Sequence, residues 1–210
     1  MARSNDAPRG APGTGPPREL RARGQRTRRK LLDAGVTVFA ARGYHAARVD
    51  DIVKLARTSH GTFYLYFANK EELFRALAAD VAVEMTELAE QFPALGPDRA
   101  GERALHEWIG RFADLYHRSG PIIRAWTEAE IGGSEFGRLG TDTLAGFSGI
   151  LAHRIRDAAP PDLDPFVAAL ALVAMTERLN YYSLTDQVAL ERDAMVETLA
   201  AVTQRSLFGA

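Results

Sequence analysis

Apolar residues recur at three- and four-residue steps through most of this chain, and no stretch shows the convincing period-two alternation of a half-buried strand. The first clear stripe, Leu31, Gly35 and Val38-Phe39, predicts a helix over 27–42 with Thr27 as N-cap and Gly43 as C-cap. Val49, Ile52, Val53 and Leu55-Ala56 form a second, shorter stripe. Arg57-Thr58-Ser59 then breaks the pattern over too few residues for a loop, and Ser59 is a good N-cap for a helix opening at His60. Phe63 and Phe67, four apart, turn inward together and leave His60 and Tyr64 on another face. After Ala68-Asn69, the pair Asn69 and Glu72 resembles a capping box, and Leu73, Leu77, Val81 and Met85 carry a long helix towards Gln91.

Beyond Phe92 the pattern is helix after helix. One is expected over 98–118 with Leu105, Trp108-Ile109, Phe112 and Tyr116 inward, ended by Gly120-Pro121. A short one over 121–131 has Pro121 at its first position, and others follow over 134–158, 164–184 and 188–207. The pattern predicts an all-α chain of about nine helices, with a three-helix head before a helical-bundle body. The helix over 164–184 is apolar nearly all round, with Glu177 and Arg178 its only charges between Pro165 and Ser183. Such a helix must be covered on several sides, so with the last helix it is the expected homodimer seam, the alternative being the central core of a single subunit.

Residues 49–67 have the arrangement of a helix-turn-helix, in which the second helix enters the major groove with its N-terminal residues nearest the base edges. Ser59, His60, Thr62 and Tyr64 are therefore the candidate readers, with Tyr66 also among the DNA-binding candidates. About fifty consecutive residues, from TRRKLLDAGVTVFAARGY through DDIVKLA and SHGTFYLYF to NKEELFRAL, resemble the DNA-binding head of the tetracycline-repressor (TetR) family of bacterial regulators. The chain departs from the family pattern at Arg57, where glycine is usual in the turn, at Thr58, usually apolar, and at Arg48, usually a Ser or Thr cap. These departures concern the turn and the local phosphate contacts rather than the fold. The resemblance implies that Thr27, Arg28 and Arg48 touch the DNA backbone and that Lys70 lies beside a phosphate. It implies, too, a dimer through the last two helices and a body that encloses a largely apolar effector pocket.

Charge sharpens this picture. Residues 1–70 carry fourteen Lys or Arg against five Asp or Glu, whereas residues 71–210 carry twelve against twenty-two, so a net charge of −1 hides a basic head on an acidic body. A protein needs that asymmetry if only one end is to approach a polyanion. Pro8, Pro12, Pro16 and Pro17, with several glycines and arginines, predict a disordered basic tail over 1–24, either an arm whose Arg18, Arg21 and Arg23 track phosphates or a passive flexible leader. The head is expected over 25–68 and the effector-binding and dimerisation domain over 69–210. With 46% hydrophobic residues a buried core is readily built; no uncharged run is long enough to span a membrane, and no apolar secretory core opens the chain, so a cytoplasmic protein is expected. The absence of cysteine excludes disulfides and thiolate chemistry.

Trp108, Phe112, Tyr116, Trp126, Phe147 and Met175, with the polar Glu177, Asn180 and Tyr181, are the candidate effector contacts, and apolar walls with few charges point to a hydrophobic or lipid-like small molecule. His117 and His153 are further polar candidates. No catalytic centre or cofactor is expected: Gly146-Phe147-Ser148-Gly149 lacks the last glycine of a nucleophile elbow, standing as it does before Ile150, and no phosphate loop or histidine metal pair occurs. The expected function is a ligand-responsive, DNA-binding transcriptional regulator, a repressor released from a palindromic operator. The alternative is a helical protein-binding or structural module without sequence-specific DNA recognition.

Overall fold

The computed structural model describes residues 18–130, 135–158, 160, 162–185 and 187–208. Among them are eight helices and no strand: α1 (Arg18–Ala46), α2 (Val49–Leu55), α3 (His60–Tyr64), α4 (Lys70–Glu90), α5 (Arg99–Glu130), α6 (Glu135–Ile155), α7 (Pro165–Leu184) and α8 (Arg192–Phe208). None of the helices is long and apolar enough to cross a membrane.

Helix α1 starts at Arg18, well before the expected cap at Thr27 and inside what was expected to be tail; residues 1–17 lie outside the described residues. The run Arg18–Lys30 is rich in Arg, Leu, Ala, Glu and Gln, all good helix formers, and a lone Gly24 costs only about 1 kcal/mol, too little to end a helix. Thr27 accordingly turns its hydroxyl back to donate to the Arg23 carbonyl at 3.0 Å, a mid-helix arrangement rather than a cap. Gly43 does break the helix, at φ 71°, a backbone angle that favours glycine.

The second departure lies in α5. Gly120-Pro121 was expected to end one helix and open another, yet α5 runs through Pro121 without a break, which reduces the expected nine helices to eight. Proline forfeits one backbone bond but does not forbid continuation where packing holds both halves. Here Gly120 lies so close to Leu184 of α7 that an added Cβ would stand 2.6 Å from a Leu184 methyl, and the half beyond proline is buried through Ile122, Ala125 and Trp126.

Two apolar clusters divide the interior. One holds the body together around Trp108, Phe112, Phe147, Leu151, Leu172 and Leu199. The other is the core of the head, with Leu31, Phe39, Ile52, Phe63, Phe67 and Phe74, and it also takes in Ile122, Ala125 and Trp126 of α5. Arg124 reinforces that junction by donating from Nη2 to the Ala40 carbonyl of α1 at 2.9 Å. At the far end Arg192 ties α8 to α5 through two bonds to Asp114, at 3.0 and 2.6 Å, and one to the Gly110 carbonyl at 3.1 Å.

Candidate functional site

Helix α3 is too short to hold itself, so its orientation comes from the side chains it buries. Phe63 and Phe67 are almost wholly covered and pack with Ile52 and Val53 of α2 and Phe74 of α4. Ser59 caps α3, its Oγ accepting from the Thr62 amide at 3.1 Å and lying 3.0 Å from the Thr62 hydroxyl. The turn before it is strained: Arg57 takes φ 52°, a left-handed conformation that costs a side-chain-bearing residue about 1 kcal/mol. Asp51, at the start of α2, pairs with Arg42 of α1 at 3.2 Å.

With Phe63 turned in, the opposite face of α3 is presented outward. Tyr64 is 57% exposed, and His60 projects beside it, held by a 2.6 Å bond between its Nε2 and Asp50 Oδ1 of α2. Leu65 is 82% exposed, the most open of the large apolar side chains described, and it was missed among the sequence candidates. The helical period could have found it, since a residue two positions from a buried one points to the other side. An exposed leucine beside polar side chains is suited in chemistry to an apolar contact such as a thymine methyl group.

Arg48 is exposed at the N-cap of α2 and makes no side-chain cap bond, so its guanidinium is not engaged with that helix end. Arg28 is exposed on α1 with its guanidinium 5.5 Å from the Phe67 ring centre. Tyr66 is half-buried, its hydroxyl running close to Gly24 of α1. Lys70 departs from expectation. Its ammonium donates to the carbonyls of Tyr44 at 2.8 Å, Ala47 at 3.0 Å and His45 at 3.3 Å, and it lies 4.7 Å from the Tyr44 ring centre. With all three N–H groups spent on the α1–α2 turn, none is left for a phosphate in this conformation. Burial also lowers its pKa, and the three bonds tie the start of α4 to that turn.

In the body, Tyr116, Trp126, Phe147 and Glu177 come together around one cavity of about 280 Å³. Val81 and Met85 of α4, Ile123 of α5 and Leu144 of α6 complete its apolar wall, with Thr141 and Thr143 also lining it. Tyr116 donates its hydroxyl to Glu177 Oε1 at 2.9 Å, and burial, then the carboxylate, raises the phenol pKa far above the ordinary value. The other candidates go elsewhere. Trp108 and Phe112 are body core, Trp108 donating from Nε1 to the Leu88 carbonyl at 2.8 Å. Asn180 bonds back to the Thr176 carbonyl at 2.7 Å and, with His117, lines a separate cleft beside Arg192. Met175 lies in a groove between α7 and α8, and Tyr181 stacks near Arg178. His153 is exposed at the end of α6, and Ser148 is fully buried in mid-helix. Sequence periodicity marks inward residues without saying which inward residues leave a gap, which is why core and cavity were not separable. Among the described residues no cluster of His, Asp or Glu is built to hold a metal.

The head is matched by the family pattern described as "bacterial regulatory proteins, tetR family" over residues 31–77. An uncharacterized HTH-type transcriptional regulator of Bacillus subtilis, YdgC, is 38% identical over 71 residues, 34% of this chain and 36% of that protein, so the chain spans about a third of that relative's length. The HTH-type transcriptional regulator EthR of Mycolicibacterium smegmatis is 28% identical over 203 residues, 91% of each. The transcriptional regulator FadR from B. subtilis, solved in complex with stearoyl-CoA, superimposes with a TM-score of 0.69 at 20% identity, over 85% of this chain and 98% of its own, which shows a common fold. Residues 31–77 thus match the head of the tetR family of bacterial regulatory proteins, and over nearly its whole length the chain is similar to an HTH-type transcriptional regulator.

Proposed function

We propose that this protein is a homodimeric repressor that binds a palindromic operator through two copies of α3 and is released when a hydrophobic effector enters the cavity between α4, α5 and α6. The observation that carries the reading is the outward face of α3, where His60, Tyr64 and Leu65 stand exposed on a helix fixed by Phe63 and Phe67. Ser59 and Thr62 take part from the capped end, and Thr27, Arg28 and Arg48 position the head on phosphates, with Tyr66 supporting it against α1. Lys70 contributes chiefly through the turn that it pins.

The effector reading rests on what the cavity touches. Ile123 and Trp126 line it and also pack in or against the head's core, while Val81 and Met85 belong to α4. An occupant therefore meets both elements that join body to head, and it shifts the protein only by its difference in affinity between bound and released states, several kcal/mol for a full switch. An apolar portion such as an acyl chain suits these walls; FadR, which shares the fold, was solved with stearoyl-CoA.

The test is selection of bound fragments from the source genome, followed by titration of the recovered site against Tyr64→Ala and His60→Ala. Both variants should lose specific binding while keeping salt-sensitive, non-specific binding, which comes from phosphate neutralisation. Full operator discrimination in both would remove α3 as the reader, and an affinity indifferent to sequence would favour a general acidic-surface binder.

A further inference from the structure

The cavity's apolar wall is interrupted by one fixed charge. Among the described lining residues only Glu177 is ionisable with an acidic or basic charge at neutral pH, and it stands opposite a wall of Trp126, Phe147, Val81 and Met85. The Glu177 side chain is 37% exposed, so its carboxylate meets solvent as well as the cavity. Its described partners leave acceptor capacity to spare. Tyr116 donates one bond to Oε1, and Arg178 pairs with Oε2 through Nε at 3.8 Å while its guanidinium also lies over the rings of Tyr181 and Tyr182. A carboxylate has about four acceptor positions, so a further donor can be taken on from the cavity side.

We infer that the effector site takes an apolar ligand whose polar end donates a hydrogen bond or carries positive charge, with Glu177 as its anchor, and that it rejects a carboxylate at that end. This inference rests on the effector reading above and adds to it the sign of the ligand's head. A fatty acid offers a second carboxylate to Glu177 and is repelled; an alkylammonium of the same chain length offers a charge-assisted bond, roughly twice as strong as a neutral one. For an acyl thioester the consequence is that its anionic portion must lie away from Glu177.

Trp126 supplies a signal, since it lines the cavity and its fluorescence responds to an occupant. The full-length protein is titrated with dodecylammonium, dodecanol and dodecanoate below their micelle concentrations, and the same series is run on Glu177→Gln and Tyr116→Phe. In the wild type the ammonium should bind at least about ten-fold tighter than the alcohol, and the carboxylate weakest, from a bond to a charged group. Glu177→Gln should erase that order while chain-length dependence persists. Tyr116→Phe, which leaves the carboxylate with one donor fewer, should preserve or widen it, and so checks the charge independently if Glu177→Gln folds poorly. Dodecanoate binding as tightly as dodecylammonium to the wild type overturns the inference and leaves the apolar site standing. If none of the three alters Trp126 fluorescence, the site itself is overturned, and the inference with it.

Discussion

At the scale of single residues, the head shows how a side chain's orientation decides between stability and recognition. Phe63 and Leu65 are two positions apart, one wholly buried and the other 82% exposed. Phe63→Ala should cost about 3–5 kcal/mol by emptying the head's core. Leu65→Ala should stay within about 0.5 kcal/mol in urea unfolding, as surface changes do, yet weaken operator binding with the loss concentrated at one A·T pair. Binding unchanged at every operator position would show that Leu65 faces solvent in the complex as well. Arg57 presents the opposite case, a strained residue where the family commonly places glycine. At φ 52° the arginine pays for a conformation that glycine adopts freely, so Arg57→Gly should raise stability by up to about 0.5 kcal/mol after allowing for glycine's looser unfolded chain. A lower unfolding midpoint in the variant would mean that the Arg57 side chain makes contacts that outweigh its backbone strain.

At the scale of elements, the segments with strong periodicity were legible and the interruptions were not. The cap at Ser59, the cap at Asn69 and the start of α7 after Asp164 stand where Ser, Asn and Asp-Pro announce them, because a cap is a local hydrogen bond and needs no knowledge of the rest of the chain. Gly120-Pro121 announces a break just as plainly, and α5 ignores it, because burial of Ile122 and Trp126 against the head is a long-range term that local propensity does not contain. The same limit applied to the cavity. Tyr116, Trp126, Phe147 and Glu177 were found because aromatic and charged residues stand out in a helical body, whereas Val81, Met85 and Ile123 look like any other core stripe. What α5 gains by continuing past Pro121 is a rigid connection from the cavity to α1, closed by the bond from Arg124 to the Ala40 carbonyl. Arg124→Ala should leave ligand affinity near the wild-type value, because Arg124 does not line the cavity, but reduce the extent to which that ligand releases operator DNA. Fluorescence titration of the ligand and anisotropy of labelled operator, run on the same sample, check the two halves. If release remains complete, the signal passes through α4 alone.

On the scale of the whole molecule, exposed apolar side chains are most numerous on α7. Helix α7 buries Ala169, Leu172 and Val173 in the body, yet its other side presents Phe166, Val167 and Leu170, with Met175 further along, and α8 adds Val202. Exposed apolar groups of this kind are suited to an interface, and the proposed occupant is a second copy, related by a two-fold axis that would also give two heads for two operator half-sites. Val167, 61% exposed, allows a clean test. Within one subunit Val167→Glu touches little and should change unfolding free energy by no more than about 0.5 kcal/mol. In an isologous seam it places two carboxylates, one from each copy, on a desolvated surface with no partner assigned to them, a penalty of several kcal/mol. The variant should therefore keep its helical circular dichroism but run as a single subunit in light scattering at micromolar concentration. Operator affinity should fall much further than stability, because two heads on one body bind as one unit and separated heads each meet the DNA alone. A Val167→Glu protein that stays dimeric and keeps its operator affinity would move the seam off this face of α7, and the exposed side chains there would then need another partner.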